Sequence, residues 1–499
     1  MKERFLILLL CVVAAFRVFM FSAAFPFFSN IDEDLHFDLI TQYSHGEVPH
    51  SFDPLKEETL NWIVPYASPE FLVTPNHFSD GKFPMPLWKQ PWSKVEPEIA
   101  ATRRAWASEI NFESSQPPLY YVLAGFWWCI GKHIGFSGIE SLYWIRFLNV
   151  ALMATMVWLA YLAARTIAPD RLDLRVGTPL LVAFIPQNVF YAMNDDVLSP
   201  LCFGVLFLCV LRWLRTDAPS LQLAALTGVV IACTYLTKLS NLPLIVIAVA
   251  VVLARIVAIS RQMPRAGLIA VAVLLVCAAV PIGSWMVWLK LQFGDFTGSD
   301  AKIAFLDWTR KPFVQWWQHP IFTPAGLWIF WWDLTARFWR GEVEWHGEQF
   351  NWQTVDPLFA ISSLVFIAAA VLGLRRQLGV SAFQRQAIAT AILMIAAGIV
   401  FLGFLSIQFD FGSCVNPSRA HPYFTSGRLL SGALIPFAVS YVYGISCLCR
   451  FATSKLGKAH RIGTATTLAV LGAIVVFSQV SEILIIWPVF SSEHNWFHR

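Results

Sequence analysis

Pro117-Pro118-Leu119-Tyr120-Tyr121-Val122-Leu123-Ala124-Gly125-Phe126-Trp127-Trp128-Cys129-Ile130-Gly131-Lys132-His133-Ile134 is the stretch on which the organisation of this chain turns. Read as a crossing helix, it sends every later segment through the membrane in one sense. Read as a helix lying along the surface, it reverses them all. At about 18 residues it sits at the lower limit of what spans a hydrocarbon core of about 30 Å, so length does not decide. Charge does, because cytoplasmic connections gather Lys and Arg.

Outward from this segment run about eleven apolar stretches long enough to cross a bilayer, at roughly 5–25, 142–164, 176–193, 196–214, 220–237, 241–258, 266–288, 355–373, 386–406, 427–447 and 464–486. With 117–134 on the surface, five connections share a side with Lys2 and Arg4. They carry Arg165, Arg171 and Arg175; Arg212 and Arg215; Arg255, Arg261 and Arg265; Arg375, Arg376 and Arg385; and Arg450, Lys455, Lys458 and Arg461. Glu3, Asp170, Asp173 and Asp217 are the acids that accompany them. The surface reading therefore predicts a cytoplasmic N-terminus, an outward C-terminus and two long outer connections, 26–141 and 289–354. The start, Met1-Lys2-Glu3-Arg4 followed by an apolar run to about Phe25, reads as a retained signal anchor.

Composition agrees. The chain of 499 residues is 57% hydrophobic and 14% charged, which sets aside a water-soluble multidomain reading. The 22 Trp and 41 Phe suit interfacial belts. A net charge of +4 without a basic patch argues against a nucleic-acid partner. The expected fold is an all-α polytopic bundle, one membrane domain over 1–499. Interfacial helices are expected in the first outer loop, and Trp316, Trp317, Trp328, Trp331, Trp332 and Trp339 on amphipathic helices in the second.

The chemistry concentrates at helix ends on the outer side. Asn30-Ile31-Asp32-Glu33-Asp34-Leu35-His36-Phe37-Asp38 follows the first span. Asp195 and Asp196 join the third and fourth spans, Lys238 the fifth and sixth, while Arg146 and Arg428 open the second and tenth. A carboxylate can take a proton from a hydroxyl or hold a cation. Arg and Lys grip phosphate. Transfer of a sugar from a lipid phosphate needs both. Each residue also has a plain structural reading. The first acids can cap a helix, Asp195 and Asp196 can solvate a turn, and Lys238 and Arg146 can snorkel. Arg428 can belong to a helix start, and His36 can pack beside Phe37.

The order Asp32-Glu33…His36-Phe37, then Gln116-Pro117-Pro118-Leu119, then Arg146-Phe147-Leu148-Asn149 with Ala164-Arg165, resembles the GT-C superfamily of polyprenyl-phosphate-sugar glycosyltransferases. That group includes the protein O-mannosyltransferases and the aminoarabinose transferases of lipid A. Thr425-Ser426-Gly427-Arg428-Leu429-Leu430 is similar to a Gly-Arg motif in bacterial proteins of the same broad group. The likeness is clearest over about 1–260. It departs from the family in an inserted Asp34 and in Gln116 where His often stands. The resemblance implies a glycosyltransferase of a bacterial plasma membrane, acting on its outer face. It implies a polyprenyl-phosphate-sugar donor and a glycan, lipid or protein acceptor. Asp32 is the first choice of base and Glu33 the second. Asp34 and His36 would orient base or acceptor, and Arg146, Lys238 and Arg428 would hold the donor phosphate. A divalent cation between Asp32 and Asp195/Asp196 is left open. An oligosaccharide ligase or polymerase and a lipid-linked-sugar flippase are the alternatives.

Overall fold

The computed structural model describes residues 2–28, 32–67, 85–342, 344–345, 348–349, 353–375, 380–414, 416–453 and 459–498. Arg376, Lys455 and Lys458, counted above among the basic connections, lie outside them. Helices dominate. In chain order they are α1 (Lys2–Ala24), α2 (Glu33–Ser44), α3 (Glu57–Tyr66), α4 (Trp92–Trp106), α5 (Leu119–Ile134), α6 (Ile139–Arg146), α7 (Leu148–Ile167), α8 (Leu172–Ala183), α9 (Ser199–Arg215) and α10 (Leu221–Thr237). The second half holds α11 (Leu242–Ile259), α12 (Pro264–Phe293), α13 (Ser299–Phe305), α14 (Phe313–Trp316), α15 (Pro324–Arg340), α16 (Asp356–Arg375), α17 (Ala382–Gln408), α18 (Leu434–Thr453), α19 (Ala459–Ile485) and α20 (Trp487–Ser491). Two minimal antiparallel pairings join them. Thr309–Arg310 pairs with Phe409–Asp410, and Glu344–Trp345 with Glu348–Gln349.

Among the described residues, nine helices are long and apolar enough to cross a membrane, fewer than the eleven stretches read from hydropathy. Two differences account for this. The 17 residues of α10 fall just short of the length of a full span. The stretch 176–193 is not one helix: α8 stops at Ala183, and at 1.5 Å per residue its 12 residues rise about 18 Å. Pro186 lies just beyond, and the residue before a proline is pushed out of helical backbone. The chain then runs through two short 3₁₀ turns, Asn188–Tyr191 and Asp195–Val197, and residues 185–198 are all buried. Irregular backbone at membrane depth persists where protein covers it.

The segment Gly427–Thr453 is the most enclosed of the spans, so α18 is the centre of the bundle. A Cβ on Gly444 would lie 1.8 Å from the Phe366 carbonyl oxygen, so α16 and α18 meet backbone to backbone. The first long connection is layered rather than spread on a surface. Every residue of α2 from Glu33 to Gln42 is buried, and α5 packs across it. On α5, Val122, Phe126, Cys129 and Lys132–Ile134 are exposed at helical spacing, a stripe facing outward that is apolar along its length and carries Lys132 and His133 at its end. In the second connection α15 exposes Leu327, Trp328 and Ile329.

Contacts sort the polar groups to two ends. At one, Arg175 pairs with Glu3 (3.0 Å), Arg171 with Asp173 (2.7 Å), Arg450 with Asp173 (3.6 Å) and Arg255 with Asp217 (3.4 Å). At the other lie the end of α1, the starts of α7 and α9, the α10–α11 junction and the segment leading into α18. The candidate residues gather there.

Candidate active site

Asp32 precedes α2 with φ 56°, a left-handed backbone that Asp tolerates better than most residues. Its side chain makes no capping hydrogen bond to the helix. Instead, Oδ2 accepts from Arg428 Nη2 at 2.8 Å. Arg428 is delivered by the segment 425–428, and Gly427 explains its approach. A Cβ there would lie 2.0 Å from the Phe338 backbone nitrogen, so only glycine lets this turn rest on α15. Arg428 Nε lies 3.3 Å from Ser426 Oγ and 3.8 Å from Asp196 Oδ2.

Asn194, not either aspartate, caps the turn that follows it: its side chain accepts from the Asp196 N–H at 2.8 Å. Both carboxylates are thereby left to a cation. Lys238, in extended backbone between α10 and the 3₁₀ turn Leu239–Asn241, places its ammonium 2.8 Å from Asp195 Oδ1 and 2.7 Å from Asp196 Oδ1. His36 Nε2 stands 4.0 Å from Asp195 Oδ1, and its Nδ1 is 2.7 Å from the Tyr121 hydroxyl. Burial pushes the His36 imidazole down to about 4, with Lys238 adding to it against the pull of Glu113, so the ring is neutral near pH 7. Burial, then the nearby Asp195 and Glu113 carboxylates, pushes the Tyr121 hydroxyl well up. Tyr121 therefore keeps its proton. If it donates to Nδ1, the His36 proton sits on Nε2 and faces Asp195.

Asp32, Arg428, Asp196, Lys238, Asp195 and His36 thus form one chain of contacts. The other three expected residues stand elsewhere, for physical reasons. Arg146 and Glu33 are both fully buried and saturate each other, at 2.7 Å from Nε to Oε1 and 2.5 Å from Nη2 to Oε2. The remaining Arg146 donors go to the carbonyls of Ser22, Phe25 and Pro26. Glu33 also accepts from the Phe28 and Met193 N–H groups at 2.8 and 2.9 Å. All five guanidinium N–H groups are used within the fold, so none remains for a phosphate, and Glu33 has no free approach as a base. Asp34 is buried in the first turn of α2, away from the cavity below. Burial first, then the charge of Asp32, pushes its carboxyl up to about 7.

A cavity of about 380 Å³ opens on the network, lined by Asp32, His36, Glu113, Lys238, Lys302 and Arg428, with Arg337, Glu342 and Ser426 further round. A second cavity of about 390 Å³ adjoins it through shared walls at Gln116, Lys238, Lys302 and Trp308. Its far side is apolar, built from Tyr235, Trp285, Leu289, Phe401 and Leu405 near the ends of α10, α12 and α17. Reading the sequence missed several of these residues. Tyr121 lies inside the Pro-Pro-Leu stretch and Glu113 just before it, so the motif was the available signal. No local pattern marks Lys302, Arg337 or Glu342. Glu113 pairs with Lys302 at 2.7 Å, and Arg337 with Glu342 at 3.3 Å. Burial alone would raise the Glu113 carboxyl, but Lys302, helped by His36 and Gln116, holds it well below the usual range.

Among the described residues no group of three His, Cys, Asp or Glu side chains is arranged to hold a metal ion. Where Asp195 and Asp196 converge, the Lys238 ammonium already fills the place between them.

No curated protein matches the chain. Among solved structures, it is similar to ArnT from Cupriavidus metallidurans bound to undecaprenyl phosphate, at 12% identity and a TM-score of 0.42, over 98% of this chain and 77% of that one. It is also similar to the oligosaccharyltransferase of Archaeoglobus fulgidus. The complex with Zn and sulfate aligns at 11% identity and a TM-score of 0.39, over 99% of this chain and 53% of that one. The complex of AglB with an inhibitory peptide and a dolichol-phosphate aligns at 14% identity and a TM-score of 0.39, over 99% and 56%. The chain therefore spans about half the length of that oligosaccharyltransferase. A family model described as Predicted membrane protein (DUF2142) matches residues 15–410. With that match covering most of its length, this helical chain belongs to the DUF2142 family of membrane proteins.

Proposed function

We propose that this chain is a GT-C-type glycosyltransferase that moves a sugar from a polyprenyl-phosphate-linked donor to a hydroxyl acceptor. The observation that carries the reading is the junction of the two cavities. A polar chamber walled by Asp32, Lys238 and Arg428 meets an apolar chamber walled by Trp285, Leu289, Phe401 and Leu405 at helix ends. A polyprenyl phosphate has that two-part chemistry: a charged head, which can carry a sugar, and an isoprenoid tail. Undecaprenyl phosphate and dolichol-phosphate, bound by the two similar proteins, are lipids of this kind.

In the proposed reaction the acceptor hydroxyl attacks C1 of the sugar and forms the new glycosidic bond. The bond from C1 to the phosphate oxygen breaks, and the polyprenyl phosphate leaves with the electron pair. Asp32 takes the hydroxyl proton. Arg428 and Lys238 stabilise the charge that gathers on the leaving phosphate, and they are fixed before it forms. Neutral His36, held by Tyr121, lines the chamber and orients the acceptor. Glu33 and Arg146 hold the frame.

The site would face the outer side, with α5 in the membrane interface rather than across it. Supporting this are the exposed stripe on α5 and the arginines gathered at the opposite end of the bundle. The connections 26–141 and 289–354 would then cover the site from outside. Titration of the purified protein in nanodiscs with undecaprenyl phosphate tests the donor assignment. Wild type is expected to saturate. Arg428→Gln, folded by its melting curve, should bind about tenfold more weakly, the worth of one charge-assisted hydrogen bond. Absence of saturable binding by the wild type would remove the reading.

A further inference from the structure

The charge balance of the network points beyond its own members. The carboxyl groups of Asp32, Asp195 and Asp196 already engage both cations of the network, Lys238 and Arg428, so neither cation stands unpaired. A phosphate entering the polar chamber therefore meets cations that are already matched by acids. It needs further positive charge, and the wall between the chambers supplies it. Among the described residues, Lys238 and Lys302 are the charged groups that line both chambers. Lys238 is buried between two acids. Lys302 has one, Glu113 at 2.7 Å, with its side chain 27% exposed and the Phe112 ring 5.1 Å away. Glu113 also holds Gln116, at the head of the Pro-Pro-Leu motif, so it keeps a partner if Lys302 turns away.

We infer that Lys302 is a phosphate-binding residue for the lipid donor and that Glu113 is its resting counterion, exchanged for the phosphate when the donor seats. The inference rests on the donor reading above. It differs from a purely structural bridge between the 111–116 segment and α13 in the sign of one substitution. If the pair is only a bridge, losing either partner harms the site alike. If Glu113 competes with the phosphate, losing Glu113 frees Lys302 and improves binding.

The experiment is undecaprenyl phosphate binding to the full chain in nanodiscs, comparing wild type, Lys302→Gln, Lys302→Arg and Glu113→Gln, each checked by its melting curve. Lys302→Gln should weaken binding about tenfold and Lys302→Arg should restore most of it. Glu113→Gln should tighten binding by up to about fivefold, the worth of a partly exposed ion pair. Parallel weakening by Lys302→Gln and Glu113→Gln, or no change in either, overturns the inference while leaving the donor reading standing. A wild type that binds no undecaprenyl phosphate overturns both.

Discussion

Glu33 and Arg146 show how far a side chain's place can lie from what its neighbours in sequence suggest. Glu33 sits in the middle of an acidic run, yet it is wholly enclosed and bound to a guanidinium that opens the next span. Breaking such a pair leaves one charge buried and uncompensated, at about 3–5 kcal/mol. Arg146→Gln should therefore lower stability by about that much, read from denaturation in detergent. The folded fraction should still bind undecaprenyl phosphate as wild type does. Unchanged stability with weakened binding would return Arg146 to the phosphate. Asp34 makes a different claim. Its carboxyl, pushed up to about 7 by burial and by Asp32, lies above the ~3.9 of an unfolded chain. Its stabilising contribution is thus fully present below about pH 4 and is lost as the pH rises through about 7, at up to about 1.4 kcal/mol per unit. Asp34→Asn removes that term. Its melting temperature should gain on the wild type progressively between pH 4 and pH 8, and a constant offset across that range would contradict the account.

At the scale of elements, the division between α8 and the buried chain after it matters most. Hydropathy sees an apolar stretch over 176–193 and reads one span, but Pro186 ends the helix early and the chain continues as turns. Those turns are what bring Asn194, Asp195 and Asp196 to Lys238. Whether α5 lies along the surface, as proposed, decides the sense of every later span. Single cysteines read by an impermeant thiol reagent from outside the cell, in a background whose native thiols are silent, test it. A probe near residue 495 should label and one near residue 170 should not. The reverse pattern would put α5 across the membrane.

For the whole molecule, the helical class and most of the spans were legible because hydrocarbon imposes a long, simple pattern. The acids and bases of the site were legible as types at helix ends, because charge is rare in this chain. Their pairing was not. Whether Arg428 meets Asp32 or Arg146 meets Glu33 depends on packing between elements hundreds of residues apart, and on glycines such as Gly427 that permit contact. Lys302 was hidden for the same reason, being one lysine on a seven-residue helix. The central claim is that Asp32, alone of the four acids in the run after α1, carries the proton transfer. Asn keeps its shape and tolerates its left-handed backbone but has no basicity. The direct measurement is sugar transfer from a polyprenyl-phosphate donor by purified Asp32→Asn protein, with lipid binding and melting followed in parallel. Turnover should fall by about 10²–10⁴ with both controls intact. Near wild-type turnover would contradict the account and take the proton transfer away from Asp32, whereas no transfer by the wild type itself would leave the flippase reading in its place.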